Sequence, residues 1–196
     1  LAMGVRVTVP WRLQTLLLVL ALSACATLGP PRNVSSLCGI FSERTDWRTS
    51  SLQAQQRWGA PVAVQMAIIH QESSFVEDAR PPRYRFLGLL PLWRSSSAYG
   101  YGQVKDDTWD WYVTKTGRED ARRDNFADVT DFIGWYMQQS YQLLGIPKSD
   151  AYRQYLAYHE GHGGYRRKSY DGKTWLLAVA DRVAGLARRY ARSVSC

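Results

Sequence analysis

Asn125-Phe126-Ala127-Asp128-Val129-Thr130-Asp131-Phe132-Ile133-Gly134-Trp135-Tyr136-Met137-Gln138-Gln139-Ser140-Tyr141-Gln142-Leu143-Leu144 sets its apolar residues near the i, i+3, i+4, i+7 spacing of one helix face. Gly145 and Pro147 stop the pattern, so the spacing predicts a helix over 125–144. Upstream, Pro61 opens Val62-Ala63-Val64-Gln65-Met66-Ala67-Ile68-Ile69-His70-Gln71, apolar nearly all round as a buried helix would be. A buried strand is the competing reading of that run. Trp47 to Trp58 is polar and helix-compatible up to Gly59, and further helices are predicted from about Asp150 to His159 and from Thr174 to about Arg192. In the last of these, Arg182, Arg188, Arg189 and Arg192 cluster late, where cations suit a helix C-terminus. There is no alternating strand pattern of comparable length and no internal repeat. The predicted architecture is mainly α-helical, and 196 residues suit one domain with its own core.

Hydrophobic residues at 45% and charged residues at 21% are ordinary globular usage, which excludes a disordered or collagenous chain. The formal charge of +8 suits an acidic partner: nucleic acid, anionic headgroups or an anionic polymer. With 8 Trp, 12 Tyr and 5 Phe, some rings are expected on a surface where they stack on sugars or bases.

Arg6 and Arg12 precede Leu16-Leu17-Leu18-Val19-Leu20-Ala21-Leu22, then Ser23, Ala24 and Cys25. The apolar run is too short for about 30 Å of hydrocarbon and reads as a signal peptide over 1–24, not a transmembrane anchor. Leu22-Ser23-Ala24-Cys25 resembles the lipobox of bacterial lipoproteins, in which the cysteine is acylated and becomes the new N-terminus. Cleavage before Cys25 would lower the charge by two and leave the chain basic. Ala26, where many inner-membrane lipoproteins carry Asp, implies the periplasmic face of the outer membrane. Residues 25–36, rich in Pro, Gly and Ser, read as lipidated terminus and spacer, and 37–196 as the folded domain. In an oxidising periplasm Cys38 and Cys196 read as a disulfide, with two free thiols as the alternative. A secreted chain fits poorly with nucleic acid.

The predicted buried helix ends in Glu72-Ser73-Ser74-Phe75, so a carboxyl group leaves an apolar segment at a turn. Desolvation there raises its pKa toward values at which it can donate a proton near neutrality. Gly100-Tyr101-Gly102-Gln103-Val104 and Ala157-Tyr158-His159-Glu160-Gly161 follow. Taken in order with Glu72-Ser73, these motifs resemble the soluble lytic transglycosylase domain of the lysozyme-like superfamily, over roughly residues 50 to 190. That resemblance implies a single lysozyme-like domain that cleaves the MurNAc-GlcNAc β-1,4 bond of peptidoglycan and leaves 1,6-anhydro ends. It implies Glu72 as catalytic acid/base and Ser73, Gln103 and Tyr158 as substrate-binding residues; Tyr101 and His159, in the same motifs, are expected to bind substrate as well. No cofactor and no metal are expected, and the chain is expected to act as a monomer. Gly102 stands where the family has methionine, and His159-Glu160 where it has Asn-Ala.

A hydrolytic muramidase is the alternative if a second group positions water, with Asp106 or Asp107 as candidates. A non-catalytic peptidoglycan-binding lipoprotein is the other. His159-Glu160-Gly161-His162 lacks the His-Glu-x-x-His spacing of a helical zinc site, and its glycines are expected to break the helix. His70 is expected in the core, pointing away from Glu72. Arg80 to Arg94 carries Pro81, Pro82 and Pro91 and cannot be one helix; it reads as a flap over the cleft, a membrane-facing lip or a loop tucked into the core.

Overall fold

The computed structural model describes residues 29–86 and 90–193. Arg6, Arg12, the apolar run, Cys25, Leu87 to Leu89 and Cys196 lie outside the described residues. The domain is built from helices α1 (Leu37–Glu43), α2 (Thr45–Trp58), α3 (Val62–Ser73), α4 (Asp106–Thr116), α5 (Phe126–Leu144), α6 (Ala151–Arg166) and α7 (Thr174–Ala191). Strands β1 (Arg83–Phe86) and β2 (Leu90–Arg94) form one antiparallel pair between α3 and α4. The arrangement is a mainly helical single domain, as the periodicity predicts.

α3 is the central helix. Val62, Val64, Met66, Ala67, Ile68 and Ile69 are all buried, which is why its sequence has no polar face, and Gln55 Oε1 accepts from Val62 N at 2.9 Å to satisfy its first turn. α7 covers α3, α6 bridges α7 and α5, and α2 packs along α5. Gly134 permits that last approach, since a Cβ there would stand 2.8 Å from the Trp58 ring. Asn125 caps α5 by accepting from Asp128 N, and Gly145 ends it in the left-handed region at φ 69°.

Three segments differ from the sequence reading. Pro31 is buried, Glu43 accepts from the amides of Arg32 and Asn33 at 3.0 Å each, and Tyr190 donates to the Val34 carbonyl at 2.8 Å. Part of the expected spacer is therefore docked on the domain. The Arg80 to Arg94 segment contains a hairpin, in which Pro91 is tolerated because a two-stranded sheet has only edges. α6 also runs on past His159: only Gly161, at φ 72° and ψ 160°, leaves helical geometry, and the helix resumes beyond the kink.

Cys38 is disulfide-bonded, and its Sγ lies 3.1 Å from the Ser193 carbonyl oxygen near the end of the chain.

Between β2 and α4 a tight loop closes through paired bonds between Tyr99 and Val104, 3.2 Å each way. Gly100 sits in it at φ 78°, and a Cβ there would stand 1.9 Å from the Arg123 carbonyl oxygen. Gly100→Ala must displace backbone, at a cost of about 2–3 kcal/mol. Thermal melts should show a lowered Tm; an unchanged Tm would contradict this packing.

Candidate active site

Glu72 lies in the last turn of α3, and the chain then turns through Ser74 at φ 52° and Phe75 at φ 65°, both in the left-handed region that non-glycine residues avoid. Burial of the Phe75 ring against Trp47, 5.5 Å between centroids, offsets that strain. The carboxyl reaches a cleft of about 400 Å³. The Gly100 loop supplies one wall with Gln103 and Val104, α5 supplies Phe132 and Tyr136, and α6 supplies Tyr158, His159 and Glu160.

Glu72 Oε1 is buried with no hydrogen-bond partner among the described residues. Desolvation pushes the carboxyl up to about 7, against a smaller opposing effect of the nearby Tyr155 hydroxyl, which hydrogen-bonds to it. Tyr158 is held by its own bond to the Gly102 carbonyl at 2.6 Å. A Cβ at residue 102 would stand 2.8 Å from that hydroxyl, so glycine in place of methionine lets the loop close on Tyr158.

The raised pKa has a consequence for stability. Folding favours the protonated Glu72 carboxyl, so its contribution is fully present below the ordinary value of 4.5 and is lost as pH rises through about 7. Glu72→Gln mimics the protonated form. The variant should match the parent near pH 4 and exceed its stability by about 3 kcal/mol near pH 8, read from denaturant titrations. A pH-independent difference would contradict the desolvated carboxyl.

Of the residues singled out from sequence, Glu72, Gln103, Tyr158 and His159 meet in the cleft. Both amide hydrogens of Gln103 are used, on the Ala79 carbonyl at 2.7 Å and the Gly100 carbonyl at 3.0 Å, so its Oε1 is the group with capacity for a ligand. Ser73 and Tyr101 do not reach the cleft. Ser73 is buried and donates to Ile69 O within its own helix at 3.3 Å; Tyr101 is buried edge-on to Trp47 and Phe126. Asp106 and Asp107 sit in the first turn of α4, outside the cleft, and Asp106 is paired with Arg123 at 2.7 Å. His70 is only partly buried and lines a separate groove with Arg182 and Arg189. His162 stacks on Tyr136 at 4.3 Å and meets Ser140 at 3.0 Å, whereas His159 faces the cleft, so the two do not converge as metal ligands.

Two groups escaped the sequence reading. Tyr155, beside Glu72, lies one helical turn before Tyr158 and His159, a spacing that could have marked it. Glu160 is the other: burial alone would raise its pKa, but Lys173, Ser169 and His159 outweigh burial and hold it down to about 2. Lys173 Nζ lies 2.8 Å from each of its oxygens, and Ser169 donates to Oε2.

A helical domain that delivers one desolvated glutamate from the end of its buried helix into an open cleft has the architecture of lysozyme-like enzymes. The model of the transglycosylase SLT domain matches residues 13–196, nearly the whole chain, and the protein belongs to that family. Membership indicates a transglycosylase with peptidoglycan as its substrate. Comparison with curated proteins and with solved structures gave no match.

Proposed function

We propose that the protein is a peptidoglycan lytic transglycosylase in which Glu72 acts first as acid and then as base. The observation that carries this reading is the desolvated Glu72 carboxyl at the cleft, whose Oε1 has no hydrogen-bond partner among the described residues and whose pKa burial pushes up to about 7. Glu72 gives its proton to the glycosidic oxygen as that oxygen leaves C1 of N-acetylmuramic acid, and the GlcNAc side departs with a free 4-hydroxyl. The acetamido group of the muramic acid supports the cationic transition state. The Glu72 carboxylate then takes the proton of the C6 hydroxyl as that oxygen bonds to C1, which restores the acid and closes the 1,6-anhydro ring. Hydrolysis finds less support: the other carboxylate in the cleft, Glu160, has both oxygens committed, and Asp106 and Asp107 lie outside. Mass analysis of muropeptides released from purified sacculi tests the reading. Anhydro ends are expected; reducing ends would establish a muramidase, and no release a binding protein.

The same reading takes 1–24 as a signal peptide, Cys25 as acylated on the periplasmic face of the outer membrane, and Cys196 as the partner of Cys38. The lipobox resemblance supports the anchor, and the closeness of Ser193 to Cys38 supports the pairing. Cys25→Ser should shift the protein out of the membrane fraction, and unreduced peptide maps should join the Cys38 and Cys196 peptides.

A further inference from the structure

The cleft holds a second ordered group that the one-glutamate mechanism does not use. His159 Nδ1 lies 3.1 Å from Glu160 Oε1, just before the kink at Gly161. The Glu160 side chain is only 6% exposed and is fixed from the far side by Lys173 and Ser169. An ionised carboxylate can only accept, so in the neutral ring the hydrogen must sit on Nδ1, which leaves a lone pair on Nε2. Two rings flank the imidazole, Tyr155 at 6.4 Å and Trp175 edge-on at 5.3 Å between centroids. The same imidazole lines the cleft that receives Glu72. A carboxylate that orients a histidine in this way is the usual means of fixing one tautomer for a task at the other nitrogen.

We propose that His159 is a substrate-positioning residue whose Nε2 accepts a hydrogen bond from a glycan hydroxyl or acetamido N–H, with Glu160 as the brace that sets its tautomer. The proposal rests on the glycan reading above and assigns His159 no proton transfer. Trp175, 57% exposed and edge-on to the imidazole at 5.3 Å, adds beside it a flat apolar face of the kind sugars stack on.

The test measures binding of soluble, peptide-free glycan strands by calorimetry in a Glu72→Gln background, where turnover does not interfere. His159→Phe keeps a flat ring without the acceptor and should weaken binding about 10-fold; His159→Gln offers a carbonyl in place of Nε2 and should recover to within about 3-fold of the parent. Nitrogen NMR of the substrate-free protein at pH 9 should place the hydrogen on Nδ1, and Glu160→Gln should shift part of the population to Nε2–H. Parental affinity in His159→Phe, equal losses in the Phe and Gln variants, or an Nε2–H ring in the parent would each overturn the proposal. Should Glu160→Gln not fold, the two His159 variants and the parent spectrum still decide. Failure of the parent to cleave the strands counts against the glycosidic mechanism, whereas the binding and tautomer measurements are read without cleavage.

Discussion

Glu72→Gln folds, still binds glycan strands and releases muropeptides at least about 10²- to 10⁴-fold more slowly than the parent. The size of the effect follows from the lack of a second protonated carboxyl in the cleft among the described residues. Glu160, held down to about 2, carries no proton to give at neutral pH, and Tyr155 and Tyr158 are phenols pushed far above their ordinary range chiefly by burial, which the substitution leaves in place. Glutamine keeps the volume and one acceptor oxygen of Glu72 but has no acidic proton. Turnover within a few-fold of the parent would remove Glu72 from the mechanism. A variant that neither folds nor binds would show that the residue is structural.

Asp131→Ala lowers stability by about 2–4 kcal/mol, as expected when a buried acceptor shared by two desolvated hydrogen-bond donors is removed. The Asp131 carboxylate, in α5, is a hub that joins three helices. Trp58 Nε1 of α2 donates to it at 2.8 Å, the Tyr112 hydroxyl of α4 at 2.7 Å, Arg57 at 3.2 Å and Arg118 at 3.0 Å. Alanine strands the Tyr112 hydroxyl and the Trp58 N–H, whose desolvation is already incurred, whereas Arg118 keeps Asp128 at 2.6 Å. Phe132, the next residue, and Thr108 of α4 both line the cleft, so the loss should also lower activity. Equilibrium denaturation measures the effect; a change below about 1 kcal/mol would mean that the hub is not a cooperative tie. Asp131→Asn, which keeps the acceptor oxygen and loses the charge, should fall between the two.

The long helices were legible because their determinants are local. The period of Phe126, Val129, Phe132 and Ile133 and the stop at Gly145 fix α5 to within a residue or two, and the all-apolar run after Pro61 is α3, although that run by itself also fitted a buried strand. The kinked α6 was less legible. Its glycines argue for a break, yet Gly164 is needed inside the helix because a Cβ there would stand 2.8 Å from Ser169 Oγ and 3.1 Å from Glu160 Cβ, contacts set by a turn the local pattern does not reveal. The hairpin escaped because its two strands are short and contain a proline. At the site, Glu72 could be found from its motif, but the face each neighbour takes could not. Ser73 lies about 100° further round the helix than Glu72 and so meets the backbone of its own turn, not the cleft. Tyr101 belongs to a tight loop in which near neighbours diverge: Gln103 faces the cleft and Tyr101 the core. The Glu160 brace depends on Lys173 and Ser169, which reach it only after the chain has turned beyond α6.

Under the proposed mechanism, one carboxyl completes the reaction without water. Digesting purified sacculi in heavy-oxygen water and weighing the released muropeptides tests it directly. The mechanism predicts anhydro-muramic ends that carry no label at C1, because the oxygen that bonds to C1 comes from the sugar's own C6 hydroxyl. Products bearing one heavy oxygen at C1 would contradict it and establish that the cleft delivers water to the cleaved bond.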